Sequence, residues 1–146
     1  MKHSRSRVGL SALAILAATP IVVAAFAGSA SAAQQAKEYV IPPGLDGPTG
    51  IVSGPDGHMW LTETKSNDIV TFEPQAHGSG KRWTVYMVPT THSRPTGIAV
   101  GRDGELWFTE TNANKIGVIS VRGKFKQYTI PTADTHPNMI TAGPDG

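Results

Sequence analysis

The 146-residue chain has no cysteine. Disulfides, thiolate metal sites, cysteine nucleophiles and lipid-modified cysteines are therefore excluded. Charge is also scarce: only 16% of residues are Asp, Glu, Lys or Arg, against 39% hydrophobic. That deficit excludes a coiled coil, and the hydrophobic content argues against charge-driven disorder. Glycine and proline are plentiful, at 16 and 11 residues. Such a composition points to a turn-dense, all-β chain.

The formal net charge of +2 owes everything to the N-terminus, where Lys2, Arg5 and Arg7 stand. An uncharged, Ala/Leu/Val-rich run follows from Val8 to Ala27, then the small-x-small sequence Ala30-Ser31-Ala32. Basic start, apolar run and small-residue site together read as a secretory signal over 1–32, cleaved after Ala32. The alternative is a retained anchor, since about 20 apolar residues can span a bilayer. Pro20, the many small residues and the cleavage site favour secretion, leaving no membrane attachment once the signal is gone. The remaining 33–146 carry ten Lys and Arg against eleven Asp and Glu, a net charge of −1 with no basic cluster. A nucleic-acid partner is not expected.

Self-comparison exposes a repeat. Pro48-Thr49-Gly50-Ile51 returns as Pro95-Thr96-Gly97-Ile98 and, more weakly, as Pro137-Asn138-Met139-Ile140. Gly54-Pro55-Asp56-Gly57 returns as Gly101-Arg102-Asp103-Gly104 and as Gly143-Pro144-Asp145-Gly146. Trp60-Leu61-Thr62-Glu63-Thr64 returns as Trp107-Phe108-Thr109-Glu110-Thr111. The period is 47 residues and then 42, with the excess in a loop around Glu73–Arg82 that contains His77.

Each period reads as four short strands, predicted in the first at Gly50–Ser53, His58–Thr62, Asp68–Phe72 and Trp83–Val88. Gly-Pro-Asp-Gly makes the tight turn between the first two, with Pro at its second position and Gly at its end. Four strands in roughly 40–45 residues, repeated, is the signature of a β-propeller blade. Adding a fourth strand at Tyr39–Ile41 and a first strand at Met139–Ala142, 33–146 holds about two and a half blades. Propellers close with about four to eight, so the sequence reads as a fragment of a longer protein, with Met139–Ala142 as an unpaired edge.

The unit P-x-G-I-x-x-G-x-D-G-x-x-W-(F/L)-T-E-x-x-x-N-x-I, at Pro48–Ile69 and Pro95–Ile116, resembles the repeat of the virginiamycin B (streptogramin B) lyase family. The segment Phe125–Pro131 fits the family's linker between blades. The resemblance implies a seven-bladed propeller, monomeric when complete. It also implies Mg²⁺-dependent elimination that opens the ester of a cyclic depsipeptide, streptogramin B. In that family a His base follows Pro in a P-H-G-I version of the motif, and acidic residues near the W-F-x-x position hold the metal. Two other readings share the repeat: a lactonase-type, metal-dependent propeller hydrolase, and a non-enzymatic extracellular binding scaffold.

The tight turn makes strands one and two antiparallel. The residue after Pro and the Thr-Glu-Thr run therefore meet at one end of the hairpin, facing the channel mouth. Thr49, Thr96 and Asn138 occupy the slot after Pro, so none supplies the family's His and no catalytic residue is expected here. The slot of Thr49 is also where the family would place an aromatic substrate contact. His92 and His136, just before Pro95 and Pro137, are the two histidines near the channel mouth. Glu63 and Glu110 are candidate Mg²⁺ ligands, since hard oxygens suit that ion, and the competing reading is structural bonding to loop amides. Trp60 and Trp107 are expected in the core between blades, and Asn67 and Asn114 in turns. For export, the expected outcome of N-terminal sequencing of the secreted protein is a start near Ala33; an intact Met1 on membrane-bound protein would refute the signal assignment.

Overall fold

The computed structural model describes residues 38–45, 47–75 and 82–145. The leader 1–32 and His77 lie outside the described residues. Val40–Gly146 forms one compact unit. Its elements are β1 (Pro48–Ser53), β2 (Met59–Glu63), β3 (Asp68–Phe72), β4 (Trp83–Met87), β5 (Pro95–Val100), β6 (Leu106–Glu110), β7 (Lys115–Ile119) and β8 (Phe125–Thr129). They make two four-stranded sheets in simple order, β1-β2-β3-β4 and β5-β6-β7-β8. Every neighbouring pair is antiparallel, one sheet per sequence repeat.

The turns explain the strand ends. Gly54 N–H donates to the His58 carbonyl at 2.8 Å, and Gly57 N–H to the Gly54 carbonyl at 3.1 Å. Gly57 has φ 80°, a left-handed conformation that costs glycine little. Asp56 does more than turn the chain. Its Oδ1 accepts the Trp60 indole N–H at 3.0 Å, giving the polar edge of a fully buried ring a partner. Between β2 and β3 the left-handed residue is Asn67, at φ 66°, and its repeat mate Asn114 at φ 54°. Asparagine is among the residues that tolerate this region.

The two sheets share a core of Trp60, Ile69, Val88, Ile98, Leu106, Phe108 and Ile119. Trp60 stacks on Tyr86, with centroids 5.6 Å apart. Trp107 repeats the stack on Tyr128 at 6.0 Å, yet it is only half-buried. The difference is in what covers each ring: Trp60 belongs to the core between the sheets, whereas Trp107 faces residues 140–143 across a pocket of about 210 Å³. Phe108 lies over Gly117, its direct cross-strand partner.

The expected half blade takes a different form. Neither Tyr39–Ile41 nor Met139–Ala142 is a strand. A strand needs a hydrogen-bonded neighbour, and neither segment has a ladder partner among the described residues. The third repeat copy is nonetheless seated on the second blade. The Asn138 carbonyl accepts the Gly97 N–H at 2.9 Å, and a Cβ on Gly97 would stand 2.4 Å from that carbonyl oxygen. Gly50 shows the same crowding, 2.6 Å from the Thr96 carbonyl. The glycine of the P-x-G-I motif is there so that the next repeat's backbone can pass.

A Cβ on Gly117 would sit 2.1 Å from Phe108 Cζ, forcing the ring out of its place in the core. Gly117→Ala should destabilise the folded protein by about 1–3 kcal/mol, the usual cost of overpacking. In urea unfolding of the intact protein the midpoint falls with no change in slope; an unchanged midpoint would contradict this packing.

Candidate functional site

The slot after Pro lies on a β-bulge in both blades. The β1–β2 register shifts between Pro48 and Gly50, and the β5–β6 register between Pro95 and Ile98. Bulges re-aim side chains at sheet ends, and here they turn Thr49 and Thr96 toward the second threonine of each Thr-Glu-Thr run. Thr49 Oγ1 is 2.5 Å from Thr64 Oγ1, and Thr96 Oγ1 is 2.7 Å from Thr111 Oγ1. The hairpin end read from the sequence is therefore one cluster of hydroxyls.

These hydroxyls join blades. Thr62 Oγ1 donates to the Thr96 carbonyl at 2.5 Å and accepts the Gly50 N–H at 2.8 Å. Thr64 Oγ1 donates to the Pro95 carbonyl at 2.7 Å. One repeat on, Thr109 Oγ1 donates to the Asn138 carbonyl at 2.6 Å and accepts the Gly97 N–H at 2.9 Å. Thr111 Oγ1 donates to the Pro137 carbonyl at 2.7 Å. A hydroxyl has one hydrogen to give. Those of Thr64, Thr109 and Thr111 go to carbonyls, so Thr49 and Thr96 act as the donors in their own clusters. A threonine committed in this way, with no base beside it, is not an activated nucleophile.

The two glutamates are held differently. Glu63 is 2% exposed, and its Oε2 accepts the Gly47 N–H at 2.9 Å. Glu110 is fully buried, and its Oε1 accepts the Gln127 amide at 2.7 Å. Among the described residues its Oε2 is buried without a partner. The two carboxylates sit in separate blades, and no group of three or more His, Asp or Glu comes together among the described residues. Among the described residues the two carboxylates do not converge on one Mg²⁺ site.

His92 and His136 lie on the loops entering β5 and the third repeat copy, and both are exposed. They are not repeat mates: counted back from Pro95 and Pro137, His92 matches Asp134 and His136 matches Arg94. All four residues have positive φ, from 47° to 53°, so this backbone strain belongs to the repeat and marks neither histidine. His136 Nδ1 lies 2.9 Å from the Asp134 carbonyl.

The loops are pinned by the turn asparagines, a role that a turn signal alone does not reveal. The Asn67 amide donates to the Thr90 carbonyl at 2.9 Å, while its Oδ1 accepts from Ser93 Oγ at 3.0 Å and from Arg94 N–H at 3.1 Å. Asn114 donates to the Thr132 carbonyl at 2.7 Å, and its Oδ1 accepts the N–H and the hydroxyl of Thr135. The missed signal was a hydroxyl residue two before Pro in both linkers, Ser93 and Thr135. Above the first pin opens a pocket of about 370 Å³, lined by Thr64, Lys65, Asn67, His92, Arg94 and Asn112. Of these, Lys65, Arg94 and Asn112 were not singled out from the sequence.

Thr62→Val and Thr109→Val each remove one donor to a carbonyl and one acceptor of a backbone N–H, so each should cost about 1–3 kcal/mol. Thr49→Val, at an exposed position, should cost less. Thermal unfolding of the intact protein orders the three; a drop for Thr49→Val as large as that for Thr109→Val would refute the clamp.

Comparison with known proteins places this geometry. The profile of the Virginiamycin B lyase family matches residues 22–146. The structure of selenomethionine-substituted virginiamycin B lyase from Staphylococcus aureus is 36% identical, with a TM-score of 0.67 over 74% of this chain and 35% of that one. A catalytically inactive variant of the S. aureus enzyme with quinupristin is 37% identical, with a TM-score of 0.68 over 75% of this chain and 36% of that one. A streptogramin B lyase structure is 39% identical, with a TM-score of 0.66 over 74% of this chain and 35% of that one. Kuenenia stuttgartiensis hydrazine synthase, 20% identical with a TM-score of 0.54, shares the fold alone, over 77% of this chain and 30% of that one. No curated protein sequence matches. The chain thus spans about a third of the length of these lyases. With the repeat motif, two four-stranded antiparallel blades and this match in agreement, the chain belongs to the virginiamycin B lyase family.

Proposed function

We propose that this chain supplies the first blades of a secreted propeller that opens the ester of a cyclic depsipeptide of the streptogramin B type by elimination. The observation that carries the reading is the 36–39% identity across both blades to streptogramin-lyase structures, one of which holds quinupristin. The blades described here act as scaffold. Their Thr-Glu-Thr runs fix each blade to the next repeat, and the Thr49 and Thr96 hydroxyls are committed within those joints. The proton-removing base and the Mg²⁺ ligands of this reading stand on other blades, because the slots of Thr49, Thr96 and Asn138 hold no His. Magnesium, when bound there, would stabilise the charge that develops on the departing carboxylate.

The test is to incubate the natural, intact protein with quinupristin, with and without Mg²⁺, and follow ring opening by chromatography and mass spectrometry. Elimination gives an opened product of unchanged mass, whereas a lactonase-type hydrolase would give one heavier by a water. Residues 33–146 alone should give no turnover above background, since loss of a positioned base costs ~10²–10⁴ in rate. Magnesium-dependent turnover by 33–146 that disappears in His92→Ala or His136→Ala would overturn the reading.

A further inference from the structure

The pocket above Asn67 is built from two kinds of residue, and the repeat separates them. Thr64 and Asn67 recur as Thr111 and Asn114, in the same turn and with the same bonds. They are there because every blade junction needs them. Lys65, His92 and Arg94 do not recur: their counterparts one repeat on are Asn112, Asp134 and His136. The first junction thus carries a lysine, an arginine and a histidine, where the second carries an asparagine, an aspartate and a histidine. The fold does not impose that cationic set, because the same backbone is built without it.

The cationic side chains also stand on a clamped backbone. The Arg94 N–H and the Ser93 hydroxyl both donate to Asn67 Oδ1. The Ser93 carbonyl accepts the Asn112 N–H at 3.0 Å, and the Arg94 carbonyl the Thr111 N–H at 3.3 Å. The loop is held from both blades, with His92 and Arg94 fixed at φ 53°. A guanidinium on a fixed backbone loses less freedom when it engages a ligand. Lys65 is seated too: its Cγ and Cβ stand 2.8 and 3.1 Å from the place a Cβ on Gly47 would take. Among the described residues that line the pocket there is no carboxylate.

We propose that this pocket is a binding site for a small anion, a carboxylate or phosphate group, taken up by Arg94 with His92 and the Asn112 amide around it. Guanidinium pairs with either group through two parallel N–H···O bonds, and about 370 Å³ is room for such a group and part of the molecule that carries it. Of the two junctions described, the first alone carries this set. The site does not depend on the lyase reading, because it uses none of the hydroxyls or carboxylates of the blade joints.

The experiment titrates the intact natural protein, isotope-labelled at His and Arg, with sodium phosphate and separately with sodium acetate at constant ionic strength. Nuclear magnetic resonance follows the His92 ring and the Arg94 guanidinium. Saturable shifts at both residues are expected for at least one anion. Saturation by phosphate alone assigns a phosphate ligand, by acetate alone a carboxylate ligand, and by both the shared chemistry. Arg94→Asn keeps a residue that tolerates positive φ and should weaken binding about tenfold or more, the loss of a charge-assisted contact. Arg94→Lys should weaken it less. His136→Gln, at the matching position of the second junction, should leave it unchanged. Shifts that never saturate, or equal affinity in Arg94→Asn and the parent protein, would overturn the proposal.

Discussion

The structure depends on a threonine hydroxyl that faces two ways. Thr62 gives its hydrogen to the next repeat's carbonyl and takes one from the Gly50 N–H of its own blade; Thr109 does the same one repeat later. A sheet that bulges at its first strand leaves a backbone N–H without a ladder partner. Burying that group unpaired would be costly. The threonine satisfies it and, with the same atom, fixes where the following blade must sit. The glycine of P-x-G-I is the steric counterpart, removing the side chain that would block that approach.

Most of the residues that look chemical are absorbed by this joint. The hydroxyls of the Thr-Glu-Thr runs are committed to carbonyls, and Glu63 is tied to a loop amide. The turn asparagines hold the linkers into β5 and the third repeat copy. Function in such an architecture falls to positions where one repeat differs from the next. His92 and Arg94 are of that kind.

The repeats also explain an asymmetry in burial. Trp60 and Trp107 share a motif, a stacking tyrosine and a strand position, yet only Trp60 is fully buried. A blade contributes half of each interface, and the other half comes from its neighbour. Trp60 shares its core with Ile98 and Leu106 of the next sheet, whereas Trp107 meets residues 140–143 across open space.

The blade was legible in the sequence because turns and alternation are local. Gly-Pro-Asp-Gly, the apolar strands and the repeat length place β3 at its observed bounds and the other strands of the first blade to within two residues. The family followed from the repeat motif and its spacing. The half blade was not legible, because whether Met139–Ala142 becomes a strand depends on a partner strand, which local sequence cannot supply. Nor did the sequence show that Asn67 reaches Ser93 and Arg94, or that Lys65 and His92 line one pocket. Those pairings join residues far apart in the chain, and only the packing of one blade against the next brings them together.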